Sequence, residues 1–163
     1  MSARTTAATV LTMIVGSAVR LVAQAQPDVS TDLYYLSLDA CLHARADDHK
    51  NSEMSPSGAI VLADTRITGG FPASVGPFRV EYLESAALKR RYAQSKTEFA
   101  IVGMTPMRNL KNLLIVRCWN YSVRVRSRKL ILGVMGGWDV EWLYDCGSGN
   151  YAIVNVKKWW PQM

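Results

Sequence analysis

Apolar and polar residues alternate most strictly between residues 113 and 145, and the register of that region organises the reading of the whole chain. In "LLIVRCWNYSVRVR" the odd positions Trp119, Tyr121, Val123 and Val125 are apolar, while Asn120, Ser122, Arg124 and Arg126 are polar. Period-two alternation predicts a strand with one buried face. A two-residue turn at Ser127-Arg128 sets Arg126 opposite Lys129, so Leu130, Leu132 and Val134 join the apolar face. In "MGGWDVEWLYDCGSG" the residues Trp138, Val140, Trp142 and Tyr144 alternate with Asp139, Glu141, Leu143 and Asp145. A three-residue loop, Met135-Gly136-Gly137, pairs Val134 with Trp138 and places all three strands in agreement, with glycine for the left-handed position. The expectation is one aromatic wall of Trp119, Tyr121, Trp138, Trp142 and Tyr144, backed by Arg124, Arg126, Lys129, Ile131, Asp139, Glu141 and Asp145.

Upstream the elements are shorter. Ser30 or Thr31 can cap a helix over residues 31–45, with Leu33, Leu36 and Ala40 at helical spacing. A polar loop with Pro56 and Gly58 follows, then a strand over 59–67. Residues 68–78 hold three glycines and two prolines, which predicts a surface loop or one side of a site. A brief strand "RVEYL", a short helix after Ser85 and a strand over 98–104 lead into the meander. "YAIVNVKKWW" closes the sheet with ambiguous parity, and Trp159 and Trp160 cannot both point inward. The predicted class is α+β: a curved antiparallel sheet packed on one long N-terminal helix and a short second helix.

The start of the chain changes the reading of its charge. A basic beginning, an apolar run from Ala7 to Val19 and the A-x-A pattern Ala23-Gln24-Ala25 form a secretory signal pattern. The expectation is a cleavable segment 1–25, with an uncleaved anchor or a mitochondrial presequence as the alternatives, a single domain over 26–163, and a secreted or periplasmic location. The formal charge of +6 then falls to +4 with loss of Arg4 and Arg20, too mild for a nucleic-acid binder. Of three cysteines, Cys118 falls level with Gly137 and Cys146 with Arg126. Eight residues at ~3.4 Å each part them by about 27 Å, too far for a bridge. Cys41 is left to meet either of them or none.

Candidate chemistry is sparse. Asp39, His43 and Asp47 share one helical face at i, i+4, i+8, and a carboxylate can orient an imidazole as general base. No nucleophile or oxyanion donor stands beside them in the sequence, so Asp39 and His43 are weak acid–base candidates. Asp48 and His49 extend the row without completing a recognisable metal site, and neither metal nor cofactor is expected. Lys89-Arg90-Arg91 and Arg124-Arg126-Arg128-Lys129 are basic, but the predicted register puts arginines and aromatics on opposite sheet faces, which argues against nucleic acid. No G-x-S-x-G, H-E-x-x-H, P-loop or dinucleotide fingerprint occurs.

The order of helix, strand, Gly/Pro loop, second helix and terminal antiparallel strands resembles the cystatin-like and NTF2-like cone folds. "GGWDVEWLYDCGSGNYAIVNVKKWW" is similar to the endings of small exported bacterial proteins of unassigned function. The resemblance spans residues 31–160 as a pattern of elements. It implies a ligand-binding domain, a small isomerase or a dimerisation module, and fold selects none of these. The leading expectation is a non-enzymatic binding or interaction module, taking a small hydrophobic ligand, a protein partner or a second copy. The alternative is a small NTF2-like enzyme or binder with a pocket between helix 31–45, loop 68–78 and the aromatic wall.

Overall fold

The computed structural model describes residues 33–48 and 58–161. The proposed signal segment, the helix cap at Ser30 or Thr31, and His49 lie outside them. The elements are α1 (Leu33–Asp48), β1 (Gly58–Leu62), β2 (Ser74–Val75), β3 (Phe78–Leu83), α2 (Ser85–Ser95), β4 (Phe99–Met104), β5 (Arg108–Leu110), β6 (Leu113–Arg126), β7 (Lys129–Asp145) and β8 (Asn150–Trp159). They form an α+β fold around one eight-stranded sheet, ordered β2-β3-β1-β4-β6-β7-β8, with β5 continuing alongside β6.

The sheet is mixed rather than wholly antiparallel. β1 runs parallel to both β3 and β4, whereas β4, β6, β7 and β8 are antiparallel neighbours. The continuous apolar runs "GAIVL" and "FAIVGM" suit strands covered on both sides, as parallel strands usually are. Ala59, Val61 and Val102 face α1, where Leu38, Cys41 and Leu42 supply the buried stripe. Ile60, Leu62 and Ile101 face the other way, onto Leu88 of α2. The two helices therefore lie on opposite faces of the sheet.

The first hairpin turn forms where alternation places it. Arg126 pairs with Lys129 across Ser127-Arg128, and both turn residues have positive φ, 50° and 62°, as a type I′ turn requires. The second predicted turn does not exist. β7 runs straight through Met135-Gly136-Gly137 and pairs with β6 from Lys129 to Leu143. Tyr121 pairs with Val134 and Asn120 with Gly136, so Met135 is an extra residue, a β-bulge. A bulge inverts side-chain parity downstream of itself. Before it, Leu130 and Leu132 share the α2 face with Tyr121; after it, Trp138, Val140 and Trp142 lie on the α1 face.

A second bulge explains the ambiguous last strand. Glu141 pairs with Asn155 but Trp142 with Ile153, leaving Val154 as the extra residue of β8. Each half of β8 has its own parity, so no single alternation describes it.

Candidate functional site

The expected wall of five aromatics is split among three environments. Trp138 and Trp142 are 4% and 2% exposed beneath α1. The indole Nε1 of Trp142 donates to Ser37 Oγ at 2.8 Å, and that hydroxyl donates to Leu33 O at 2.6 Å, so the polar handle is satisfied inside the core. Trp119 and Tyr121 stand on the opposite face. Tyr144 lies beyond the end of β6, 46% exposed, with its ring 5.2 Å from Tyr151. The physical cause is the Met135 bulge: the two-sided strand needs no turn to carry tryptophans to either face.

Cys41 on α1 is bonded to Cys118 on β6, with α-carbons 6.5 Å apart, and both are buried. Cys118 pairs in the sheet with Trp138, one residue from its expected level, and Cys146 is the exposed free thiol of the β7–β8 turn. The disulfide fixes α1 above the tryptophans. Loop 68–78 closes the same side. Phe71 sits edge-on to Tyr35 of α1 at 5.7 Å and to Tyr82 of β3 at 6.3 Å, while Val75 and Phe78 enter the core. Side chains thus occupy the place proposed for a pocket. Burial, with Tyr35 alongside, pushes the Tyr82 hydroxyl up to about 12.

Asp39 and His43 do come together. His43 Nε2 is 3.6 Å from Asp39 Oδ1, with the imidazole edge-on to Phe78 at 5.0 Å. Gly76, at the tip of the β2–β3 hairpin with φ 51°, lies against the same carboxylate; a Cβ there would overlap Asp39 Oδ1. That oxygen is buried without a hydrogen-bond partner. The pair is closed on one side by the hairpin, and Asp48, further along α1, is engaged by Lys158 at 2.6 Å. Among the described residues no group of three acidic, histidine or cysteine side chains could hold a metal ion. A groove of about 580 Å³ lies on the other side of the molecule, between α2 and β3, lined by Glu81, Leu83, Arg90, Arg91 and Gln94. Arg91 is already paired with Glu81 there.

The remaining surface with organised chemistry is the α2-side face of β6, β7 and β8. α2 covers only the end bearing Val123, Leu130 and Leu132. The rest is ordered in rows across the strands. One row reads Gly103, Trp119, Gly137, Trp159 on β4, β6, β7 and β8. The glycines give the rings room to lie down: a Cβ on Gly103 would come within 2.8 Å of the Tyr121 ring, and one on Gly137 within 2.9 Å of the Trp159 ring. Trp119 and Trp159 meet edge to face at 4.5 Å, and Tyr121 stacks beside Trp119 at 6.0 Å.

The next row is Arg117, Asp139, Lys157. Arg117 forms a two-pronged bond to Asp139, Nε to Oδ1 at 2.5 Å and Nη2 to Oδ2 at 2.6 Å. Those bonds raise its pKa and aim the guanidinium over the rings of Trp159 at 4.9 Å and Trp119 at 5.5 Å. Beyond it Asn155 donates to Glu141 at 3.1 Å. The expected separation of arginines from aromatics therefore fails at Arg117. Alternation assigns Arg117 to the same face as Trp119, a relation visible in "RCW", although Trp159 and Asp139 joined them only through the bulges.

These features define a class: an α+β domain with one sheet face sealed by a disulfide-pinned helix and the other left partly open beneath an aromatic strip. Comparison with protein-family models, with curated proteins and with solved structures finds no match for the chain.

Proposed function

We propose that the protein is an exported, non-enzymatic binding module whose binding surface is the open face of β6, β7 and β8. The observation that carries this reading is the Gly103–Trp119–Gly137–Trp159 row, whose tryptophans are only partly buried, with neither described helix packed over them. Rings held flat by glycines and wedged by an arginine are pre-organised, and pre-organised aromatics contribute most to binding surfaces. Val134 and Met135, 41% and 37% exposed, extend the apolar area beside them. The buried Cys41–Cys118 bond supports export, since such bonds persist in oxidising compartments.

The alternative is the NTF2-like enzyme or pocket reading, with Asp39 and His43 as acid–base pair. It draws support from their proximity and from the orphaned Asp39 Oδ1. Against it, Gly76 and Phe78 crowd the pair on one side. Hydrogen–deuterium exchange separates the two. A ligand that protects β6–β8, with binding lost in Trp119→Ala and unchanged in His43→Ala, upholds the binding face. Protection confined to α1 and the β2–β3 hairpin, abolished by His43→Ala, overturns it.

A further inference from the structure

We infer that two copies of this chain join through β8, each strand pairing antiparallel with its counterpart about a two-fold axis between Ile153 and Val154, so that two sheets become one. The contact uses the edge of the sheet, so it goes beyond the binding-face reading and does not depend on it.

Backbone pairing points to the edge. Among the described residues β8 has a strand on one side only, β7, which leaves the outward backbone groups of a ten-residue strand unpaired. The opposite edge ends in β2, two residues long, and β5 offers three. Long free edges template further strands, and proteins blunt them with lysines, bulges or covering elements. Here the blunting is incomplete. Lys158 is held by Asp48 at 2.6 Å and lies over the Trp160 ring at 4.3 Å, so its charge does not guard the edge. Tyr151, Ile153 and Val154 stand 42%, 41% and 51% exposed along it.

The sequence of β8 complements itself. Opposed residues of paired strands share a sheet face. Before the bulge Tyr151 and Ile153 lie on the α1 side, and Asn150 and Ala152 on the other. After it Val156 lies on the α1 side, with Asn155 and Lys157 on the other. With the two bulges facing, every pair shares a face: Tyr151 meets Val156 of the second copy, Ile153 its Val154, Ala152 its Asn155 and Asn150 its Lys157. The exposed apolar residues then cover one another on the α1 side, next to the axis.

Charge agrees with the same register. Each Lys157 lies opposite Asn150 of the other copy, and Asp145 of β7 adjoins that asparagine. The two Lys157 are seven residues apart along the strand, ~24 Å, well beyond the ~8 Å screening length at physiological salt. Residues 150–157, at ~3.4 Å each, make an edge about 27 Å long. That span belongs with the smaller specific interfaces, and dissociation in the micromolar range is expected. The axis is perpendicular to the sheet, so the open faces of both copies lie on the same side of the assembly.

The test is sedimentation velocity on the full chain carrying Cys146→Ser, which removes the exposed thiol as a cross-link. Concentrations from about 1 to 200 µM bracket micromolar dissociation, and a monomer–dimer equilibrium is expected. Val154→Lys sets like charges together at the axis and should weaken the dimer tenfold or more. Ile131→Lys, an exposed change away from the edge, should leave it unmoved. Mixing Val154→Lys chains with Val154→Glu chains should restore the dimer, which a folding defect could not do. A chain monomeric throughout, a dimer indifferent to Val154→Lys, equal loss with Ile131→Lys, or no restoration on mixing overturns the inference. Hydrogen–deuterium exchange of a monomeric chain then names the other occupant. Protected β8 amides would assign the edge to residues 1–32 of the same chain, and protection only on adding an extended peptide would assign it to a foreign strand. A monomer leaves the binding-face reading standing, since that reading is tested by Trp119→Ala.

Discussion

Reducing the Cys41–Cys118 bond should cost this protein a large part of its stability. The bond joins residues 77 apart in sequence. Closing a loop of that length in the unfolded chain removes about 15 cal/mol/K of entropy, or about 4.5 kcal/mol at 25 °C. Domains of this size hold only about 5–15 kcal/mol in total, so the reduced protein should be marginal. The assay is urea unfolding followed by tryptophan emission, with and without dithiothreitol. Trp138 and Trp142 lie directly beneath the helix that the bond secures, so their emission reports the event. With m of about 1.5–2 kcal/mol/M, the midpoint should fall by about 2–3 M on reduction. Cys146→Ser should leave it unchanged, since that thiol is exposed and unpaired. Thiol titration of the denatured, unreduced protein should count one free thiol. A count of three, or a midpoint shift below about 0.5 M, would refute the reasoning.

Other expectations follow from single contacts. Ser37→Ala leaves the buried Trp142 Nε1 without its acceptor and should cost about 1–3 kcal/mol, read as a lowered thermal midpoint; an unchanged midpoint would mean that the bond is not formed. Arg128→Gly relieves a left-handed residue at φ 62° and should stabilise by about 1 kcal/mol in urea unfolding, with destabilisation as the contrary result. Tyr82 should titrate near 12 at 295 nm, a component missing from Tyr82→Phe. Its pKa is raised on folding, so the native state holds that proton more tightly. The associated stability is complete below pH 10 and is lost as the pH rises from 10 through 12. Equal alkaline unfolding curves for wild type and Tyr82→Phe would contradict this.

What the sequence revealed, and what it hid, divides along one physical line. Strand β6 and the turn at Ser127-Arg128 were legible because alternation and a hairpin turn are local properties. Both helices were legible for the same reason. The bulges at Met135 and Val154 were not. Glycines at 136 and 137 suit a turn and a bulge equally, because both use positive φ. The discriminating clue was one of length. A fourteen-residue strand folded against only six residues, 129–134, leaves the half bearing Cys118 without a partner on that side, and unpaired backbone is costly. Likewise "GAIVL" and "FAIVGM" advertised strands covered on both faces, which a one-sided cone cannot provide. The Cys41 pairing depended on where α1 crosses the sheet, a tertiary relation that no local pattern encodes.

The same two bulges bear on function. Had β7 kept the parity set at its turn, Trp138, Val140 and Trp142 would have joined Leu130 and Leu132 on the α2 face and left the area beneath α1 unfilled. That helix buries little more than Ser37, Leu38, Cys41 and Leu42. One inserted residue instead sends Trp138 and Trp142 under the helix, where Ser37 satisfies an indole, and brings Gly137 and Asp139 to the opposite side. Gly137 is the vacancy that lets Trp119 and Trp159 meet across it, and Asp139 is the carboxylate that holds Arg117 against them. The second bulge keeps Lys157 and Trp159 on that face while Tyr151 and Ile153 point to the other. Core and candidate binding strip are thus two consequences of one register. Deleting Met135 should therefore alter both, whereas a change at Lys157 touches only the strip.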